Sequence, residues 1–252
     1  YNGTIPAQGL DFVIATLAFA FQIYGDFSGY SDIARGCAKL LGFDLMINFR
    51  LPYFAASPSD FWQRWHISLS SWLRDYLYIP LGGNRGSRFA TYRNLFLTMV
   101  LGGLWHGASW NFVVWGAYHG ILLIFFRALG REGIRGETLS FGSLKAIAQI
   151  CLMFCFTLLG WVFFRAESLE QIWFVLDSAS LVPSERSVNL LSKTLLRISP
   201  LVVVQVGQQL SGDLLFLNKV NPWMKGLFYG LLFVCISIYG VRESSEFIYF
   251  QF

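Results

Sequence analysis

The residues of this chain best suited to acid–base chemistry are its three histidines, which all lie between positions 66 and 119. Two of them, His66 and His106, are predicted to face a buried interior from separate helices. The pKa of an imidazole is about 6.5 in water and falls on burial, so a buried histidine is a neutral base at neutral pH. Such a base can take the proton from a hydroxyl group that attacks an activated acyl group. The alternative is a pair of core histidines that hydrogen-bond backbone carbonyls.

His106 follows an apolar run that is too short to cross a bilayer. Residues 94–106 would form about 20 Å of helix at ~1.5 Å per residue, whereas the hydrocarbon core is about 30 Å thick. A second apolar run, residues 110–127, begins after a break at Gly107. The pattern predicts a broken or re-entrant helix and an imidazole at membrane depth, where an ionisable group is costly unless it has a function. His119, in the middle of the second run, is expected to have a packing or hydrogen-bonding role.

Composition and hydropathy predict an integral membrane protein. Of the 252 residues, 55% are hydrophobic and only 13% are charged, about half of the charged share of a soluble domain. We predict one domain over residues 1–252, all-α, built as a polytopic transmembrane helix bundle with re-entrant or broken helices. A short amphipathic helix is predicted at 168–180 and a polar loop at 183–193. The predicted spans are residues 10–31, 110–127, 144–165 and 223–240, with a weaker candidate at 198–210.

Charge and cysteine patterns narrow the possible functions. Basic residues outnumber acidic ones between residues 35 and 93, so the positive-inside rule places the loop 84–93 in the cytoplasm. Because basic residues that flank spans report topology, we expect no nucleic-acid partner. The cysteines and histidines lack the spacing of metal ligands, so no metal site is predicted.

Residues 57–80 carry the signals of one amphipathic helix at the membrane interface. Ser57 is a good N-cap, Pro58 suits the first helical position, and Asp60 stands three residues after Ser57. The helical projection gives one apolar arc and one polar arc. The apolar arc contains Phe61, Trp62, Trp65, His66, Leu69, Trp72, Leu73, Tyr76 and Leu77. The polar arc contains Gln63, Arg64, Ser71, Arg74 and Asp75.

A second polar cluster lies at the C-terminal end of the first predicted span. Residues 25–32 include Asp26, Asp32, two serines and two glycines. These carboxylates either cap neighbouring helices and pair with Arg35, or line a substrate cavity. The residues by themselves leave both interpretations open.

Three segments resemble the membrane-bound O-acyltransferase family, in its bacterial alginate O-acetyltransferase branch. They are FQIYGDFSGYSD at residues 21–32, FWQRWHISLSSWLRDYLYIPLGGN at 61–84 and GLWHGASWNF at 103–112. The tail at 247–252 also resembles the family's ending and implies a natural C-terminus. The resemblance implies that His106 is the family's invariant histidine and that His66, at its second polar position, completes a catalytic pair. The substrate-binding candidates that it implies are Asp26, Arg74, Asp75, Tyr78 and Asn111.

The resemblance also implies an activity and a location. An acetyl or other short acyl group passes from a cytoplasmic thioester donor, acetyl-CoA or an acyl-carrier thioester, towards an extracytoplasmic polysaccharide such as alginate. No tightly bound cofactor is implied. The implied partners are membrane lipid, the acyl donor, the polysaccharide and periplasmic acetyltransferase proteins, at the bacterial inner membrane. Because residue 1 is tyrosine and the family's N-terminal spans are missing, we expect further spans upstream.

Other activities are compatible with the same residues. Within the same chemistry they are D-alanyl transfer to teichoic acid and O-acyl transfer to peptidoglycan. A polysaccharide export or transport component would instead use polar intramembrane residues to line a pore. A scaffold for secreted transferases would make no chemical use of them. These last two hypotheses predict that removal of the His106 imidazole leaves acylation intact.

Overall fold

The fold is all-helical, as predicted. The computed structural model describes residues 9–136, 143–178 and 182–240, and the tail at 247–252 lies outside them. These described residues form nine α-helices and no strand. The helices are α1 (Leu10–Leu40), α2 (Pro58–Trp62), α3 (Ile67–Leu73), α4 (Arg88–His106), α5 (Trp110–Ala128), α6 (Leu144–Arg165), α7 (Leu169–Ser178), α8 (Glu185–Ser211) and α9 (Pro222–Tyr239). A π-helical turn, Arg74–Tyr78, follows α3 directly.

Four of these helices, α1, α5, α6 and α8, are long and apolar enough to cross a membrane. They confirm the predicted spans at 10–31, 110–127 and 144–165, and the chain is a multi-pass membrane protein. The weak run at 198–210 proves to be the second half of α8. The polar loop predicted at 183–193 is wrong from residue 185 onwards, because Ser184 and Ser187 form a capping box that starts α8 there. The predicted last span is α9, a shorter apolar helix.

The core is aromatic and lies where α1, α5 and α6 meet the segment around α2. One face of α1 buries Phe19, Ile23 and Tyr24. Trp65 packs against Trp161 of α6 with ring centroids 4.9 Å apart, and Trp161 meets Phe19 edge to face. Edge-to-face pairs of this kind stabilise by about 0.5–1.5 kcal/mol beyond the area that they bury. The core therefore fixes α1, α6 and the start of the α2–α3 region relative to one another.

The predicted single helix over residues 57–80 is wrong. Ser57 does cap α2, since its Oγ accepts the N–H of Asp60 at 3.2 Å, but α2 ends at Trp62. The chain then turns through His66, whose φ is +44°, before α3 begins. This break reorients the later residues, so Trp72 and Tyr76 of the predicted apolar arc are 53% and 69% exposed. Arg64 of the predicted polar arc is buried.

The half-length helix predicted at 94–106 is also longer than expected. α4 begins at Arg88, where the Ser87 side chain accepts the N–H of Ala90, and its 19 residues reach about 28 Å. The break after His106 is as predicted, and α5 starts at Trp110. α4 is not among the four candidate spans.

α4 and α5 form an antiparallel hairpin with close backbone contact. A Cβ atom at Gly103 would overlap the carbonyl oxygen of Phe112, and one at Gly116 would lie 2.9 Å from the Cα of Val100. Small residues allow helices to approach to this degree. The hairpin places His106 beside the first turns of α5.

Candidate functional site

A cavity of about 620 Å³ lies between α2, α3, the π-helical turn, α4 and α5. Its middle is walled by apolar side chains, including Leu73, Leu95, Met99 and Leu123. Its polar groups include His106, Tyr78, Gln63, several serine and threonine hydroxyls and three arginines. The arginines are Arg74, Arg127 and Arg135. This size and mixture are typical of a small-molecule site, with an apolar wall and a few placed polar groups.

His106 is the last residue of α4 and lines this cavity. Its half-buried ring contacts Trp115 and Phe164 edge to face, each with centroids 5.1 Å apart. A third ring, Trp105, lies at the same distance. Because three aromatic edges surround the imidazole, its orientation is restricted while one side remains open to the cavity. The position suits a base that meets a substrate.

His66 lies off the cavity, at the N-cap position of α3. Phe27 contacts its ring edge to face at 4.7 Å, and its Nδ1 lies 3.3 Å from the Oγ of Ser68. Burial lowers the pKa of His66 from 6.5 to about 4, so the imidazole is neutral at physiological pH. His66 and His106 are close enough to interact electrostatically. The structure thus brings the two histidines into one region but gives only His106 a place on the cavity wall.

The other predicted site residues separate into two groups. Arg74 and Tyr78 line the cavity. Asp75 does not, but its carboxylate binds the Arg74 guanidinium at 2.7 and 3.1 Å. This pairing raises the pKa of Arg74 and lowers that of Asp75. Arg74 is therefore partly neutralised where it meets the cavity.

Asp26 and Asn111 lie elsewhere. Asp26 is exposed on α1 and has no place on the cavity wall, whereas Asp32 pairs with Arg35 at 3.1 Å. The buried Asn111 donates its Nδ2–H to the carbonyl oxygen of Ala166 at 2.8 Å, which ties the start of α5 to the end of α6. Neither Asp26 nor Asn111 is part of the cavity lining, and Asn111 has an evident structural partner in Ala166.

His119 is buried in an aromatic box. It is 2% exposed, stacks on Phe61 at 6.2 Å and meets Trp62 and Trp115 edge to face. Its Nδ1 has no hydrogen-bond partner among the described residues. The ring supports two tryptophans of the cavity wall from behind.

The sequence interpretation missed a buried ion pair that holds α2. Arg64 Nε lies 2.7 Å from Asp60 Oδ1, and both side chains are 3% exposed. The other carboxylate oxygen accepts the N–H of Ala56 at 3.0 Å and that of Gly136 at 2.7 Å. The i, i+4 spacing of Asp60 and Arg64 was visible in the sequence and is typical of a helical ion pair. Its burial depends on residues 134–136, which no local pattern indicates.

Comparison with known proteins gives the family. The sequence profile of the membrane-bound O-acyltransferases matches residues 9–166, more than half of the chain. The chain belongs to the membrane-bound O-acyltransferase family. The matched region contains all three histidines and every residue of the cavity wall.

Curated members of this family with different acceptors align with the chain. A protein of Pseudomonas aeruginosa named "Probable alginate O-acetylase AlgI" is 53% identical over 67% of this chain and 31% of its own length. The peptidoglycan O-acetyltransferase of Helicobacter pylori is 36% identical over 99% of this chain and 51% of its own length. The teichoic acid D-alanyltransferase of Streptococcus thermophilus is 33% identical over 48% of this chain and 29% of its own length. The chain thus spans between about a third and a half of these relatives.

Proposed function

We propose that this chain forms the catalytic part of an acyltransferase that moves an acetyl or other short acyl group from a thioester to a polysaccharide hydroxyl. The observation that carries the proposal is the position of His106, an imidazole on the wall of a 620 Å³ cavity. Neutral imidazole is the side chain best matched to proton transfer near neutral pH.

In the proposed reaction His106 acts as the general base. It takes the proton from the acceptor hydroxyl while the hydroxyl oxygen attacks the thioester carbonyl carbon. A carbon–oxygen bond forms, the carbon–sulfur bond breaks, and the proton passes from the imidazolium to the leaving thiolate. We assign His66, the second predicted catalytic histidine, to ordering the site, because it lies off the cavity. Arg74 and Tyr78 are the predicted substrate-binding residues that the cavity wall supports.

The acceptor is proposed from the relatives. The 53% identity to the AlgI protein favours acetylation of an alginate-like polysaccharide. The peptidoglycan O-acetyltransferase aligns with 99% of the chain, which supports peptidoglycan as the second candidate acceptor. In either case we place the protein in the bacterial inner membrane, with the basic loop at 84–93 in the cytoplasm, where acetyl-CoA or an acyl-carrier thioester supplies the acyl group. Periplasmic acetyltransferases are the proposed partners.

The test compares the His106→Ala and Leu104→Ala variants of the full-length protein, each expressed in a strain from which the native gene has been deleted. Leu104 is the matched control because it lies in the same helical turn and is 44% exposed, away from the cavity wall. At equal amounts of protein in the membrane, His106→Ala is expected to lose nearly all O-acetyl groups on the polysaccharide, since general-base catalysis contributes about 10²–10⁴-fold. Leu104→Ala should retain them. Normal acetylation by His106→Ala would overturn the catalytic role and leave a transport component or a scaffold.

A further inference from the structure

A second cavity, of about 390 Å³, lies at the other end of the α4–α5 hairpin from His106. It is bounded by the first turn of α4 and the last turn of α5. Three charged side chains line it, those of Arg88, Arg127 and Glu132, and of these only Arg127 also lines the cavity of His106. Because α5 is long and apolar enough to cross a membrane, its C-terminal end lies near the depth of the lipid headgroups.

The turn after α5 places the carboxylate of Glu132 on this cavity. Gly130 follows the end of α5 with φ of +64°, the left-handed conformation that glycine adopts without strain. The N–H of Arg131 then donates to the carbonyl oxygen of Phe126 at 2.8 Å, so the chain passes back across the end of the helix. One oxygen of the Glu132 carboxylate, Oε2, is buried and has no hydrogen-bond partner among the residues that the structure describes. Burial of a charged oxygen without a partner is costly, so a cationic ligand would stabilise this group.

The two arginines do not neutralise this carboxylate directly. In the part of the chain that the structure describes, no carboxylate lies within ion-pair distance of Arg88 or Arg127. Charges of both signs therefore line one cavity without forming an ion pair. A ligand that carries an anion and a cation a few bonds apart would pair with both. Guanidinium is particularly suited to phosphate, and a carboxylate accepts the hydrogen bonds of a primary ammonium group.

An apolar face of α5 leads away from the cavity along the membrane. Ala128 lines the cavity, and Phe125 and Ile121 follow at i−3 and i−7, so the three residues share one face of the helix. Phe125 and Ile121 are 53% and 59% exposed. On a helix that crosses a membrane, such an exposed apolar face suits contact with lipid chains. A phospholipid whose chains follow this face would bring its phosphate and headgroup to the cavity.

Phosphoethanolamine is the headgroup that combines these charges. Its phosphate and its primary ammonium are separated by two carbon atoms, and the whole group has eight non-hydrogen atoms. If each atom takes no more than the ~30 Å³ that a water molecule occupies, the group needs at most about 240 Å³. The cavity of about 390 Å³ therefore accommodates the headgroup and leaves room for the glycerol oxygens.

We propose that this cavity binds the phosphoethanolamine headgroup of a membrane phospholipid, with the phosphate at Arg88 and Arg127 and the ammonium at Glu132. An anionic headgroup without an amine would leave the Glu132 carboxylate without a cation and fits the cavity less well. The lipid is a bound component of the protein and not its acyl acceptor, since Arg88 and Glu132 lie outside the cavity of His106. The inference is independent of the proposed function.

The test titrates the purified, delipidated whole protein with short-chain lipids in detergent and measures binding by native mass spectrometry. The main probes are dioctanoyl phosphatidylethanolamine and dioctanoyl phosphatidylpropanol, in which a methyl group replaces the ammonium. Phosphatidylglycerol and soluble O-phosphoethanolamine are the further probes. The unmodified protein should bind phosphatidylethanolamine about 10- to 100-fold more tightly than phosphatidylpropanol, as expected for a hydrogen bond between charged groups.

The variants separate the two charges of the headgroup. Glu132→Gln should bring the affinities for phosphatidylethanolamine and phosphatidylpropanol close together, because the ammonium loses its partner. Arg88→Gln should weaken both lipids by the same factor, because both carry the phosphate. Arg131→Gln is the matched control, since Arg131 is exposed beside Glu132 and does not line the cavity, and it should bind as the unmodified protein does. His106→Ala should also bind normally, whatever its effect on acetylation.

Several results would overturn the proposal. Equal binding of phosphatidylethanolamine and either phosphatidylpropanol or phosphatidylglycerol by the unmodified protein would show that the ammonium is not recognised. A preference for the amine that survives Glu132→Gln would place the ammonium elsewhere. Binding of soluble O-phosphoethanolamine as tight as that of the lipid would exclude a membrane source for the ligand. Loss of lipid binding in His106→Ala would place the lipid in the other cavity.

Discussion

Asp60→Asn is expected to destabilise the protein strongly, because it removes the carboxylate charge that lies against the buried Arg64 guanidinium. The Asp60 and Arg64 side chains are both 3% exposed and lie 2.7 Å apart. Breaking a buried ion pair by removing one partner costs about 3–5 kcal/mol. In addition, an asparagine can offer only one oxygen to the donors that the carboxylate now satisfies, the N–H groups of Ala56 and Gly136 among them. The effect on α2 then reaches Trp62, which lines the cavity.

The assay is the thermal midpoint of the purified protein in detergent. At about 2–4 °C per kcal/mol for a chain of this length, the expected decrease is about 6–20 °C. Asp44→Asn is the matched control, since it removes the same charge from an exposed pair in which Lys39 and Asp44 are 78% and 87% exposed. Exposed pairs contribute little, so this midpoint should not change measurably.

A double variant separates the charge from the hydrogen bonds. Adding Arg64→Met to Asp60→Asn removes the buried cation and should restore part of the lost stability. The decrease in thermal midpoint that remains in the double variant measures the loss of the hydrogen bonds from the N–H groups of Ala56 and Gly136. The reasoning would be refuted if Asp60→Asn behaved like Asp44→Asn, or if Arg64→Met gave no recovery in the Asp60→Asn background.

Two further predictions concern His66 and the helical hairpin. Burial lowers the pKa of His66 from 6.5 to about 4. As the pH falls from about 6.5 to about 4, the unfolded chain therefore binds a proton at this residue and the folded chain does not. The stability of the folded state decreases through this pH range. His66→Asn, which tolerates φ of +44°, should reduce the difference in thermal midpoint between about pH 7.5 and about pH 5; an unchanged difference would contradict the assignment. Gly103→Ala should lower stability by about 1–3 kcal/mol through overlap with the Phe112 carbonyl. Gly226→Ala, where a Cβ meets open space, should raise stability by about 0.5–1 kcal/mol in the same thermal assay, and equal effects of the two would argue against the close packing.

The spans and the helix break at His106 were predictable because they follow from local composition. Runs such as Leu144–Arg165 are apolar over the thickness of a bilayer, and their helical state needs no knowledge of the neighbours. The position of His106 at a helix end follows from the glycine after it. Local sequence patterns were therefore sufficient to predict the all-helical class and the position of His106 at a helix end.

The break at His66 was not predictable, because a distant residue supports it. Residues 63–66 contain neither glycine nor proline, and their apolar periodicity continues a helix. In the structure Asn48 caps the N-terminus of α3. Its backbone carbonyl accepts the N–H of Ile67 at 3.0 Å, and its Oδ1 accepts the N–H of Ser68 at 3.0 Å. A cap that comes from a residue so far upstream leaves no trace in a local pattern. The same holds for Gly136, whose N–H completes the binding of Asp60.

The glycine contacts between α4 and α5 have a mechanical consequence. Because Gly103 and Gly116 bring the two backbones together, the hairpin moves as a single piece, and His106 cannot shift without Trp115. The facing wall differs, since neither α3 nor the π-helical turn contains a buried residue. A long ligand in the cavity would therefore lie between two unequal walls. One is the tightly packed hairpin, and the other is the more exposed segment from Ile67 to Tyr78.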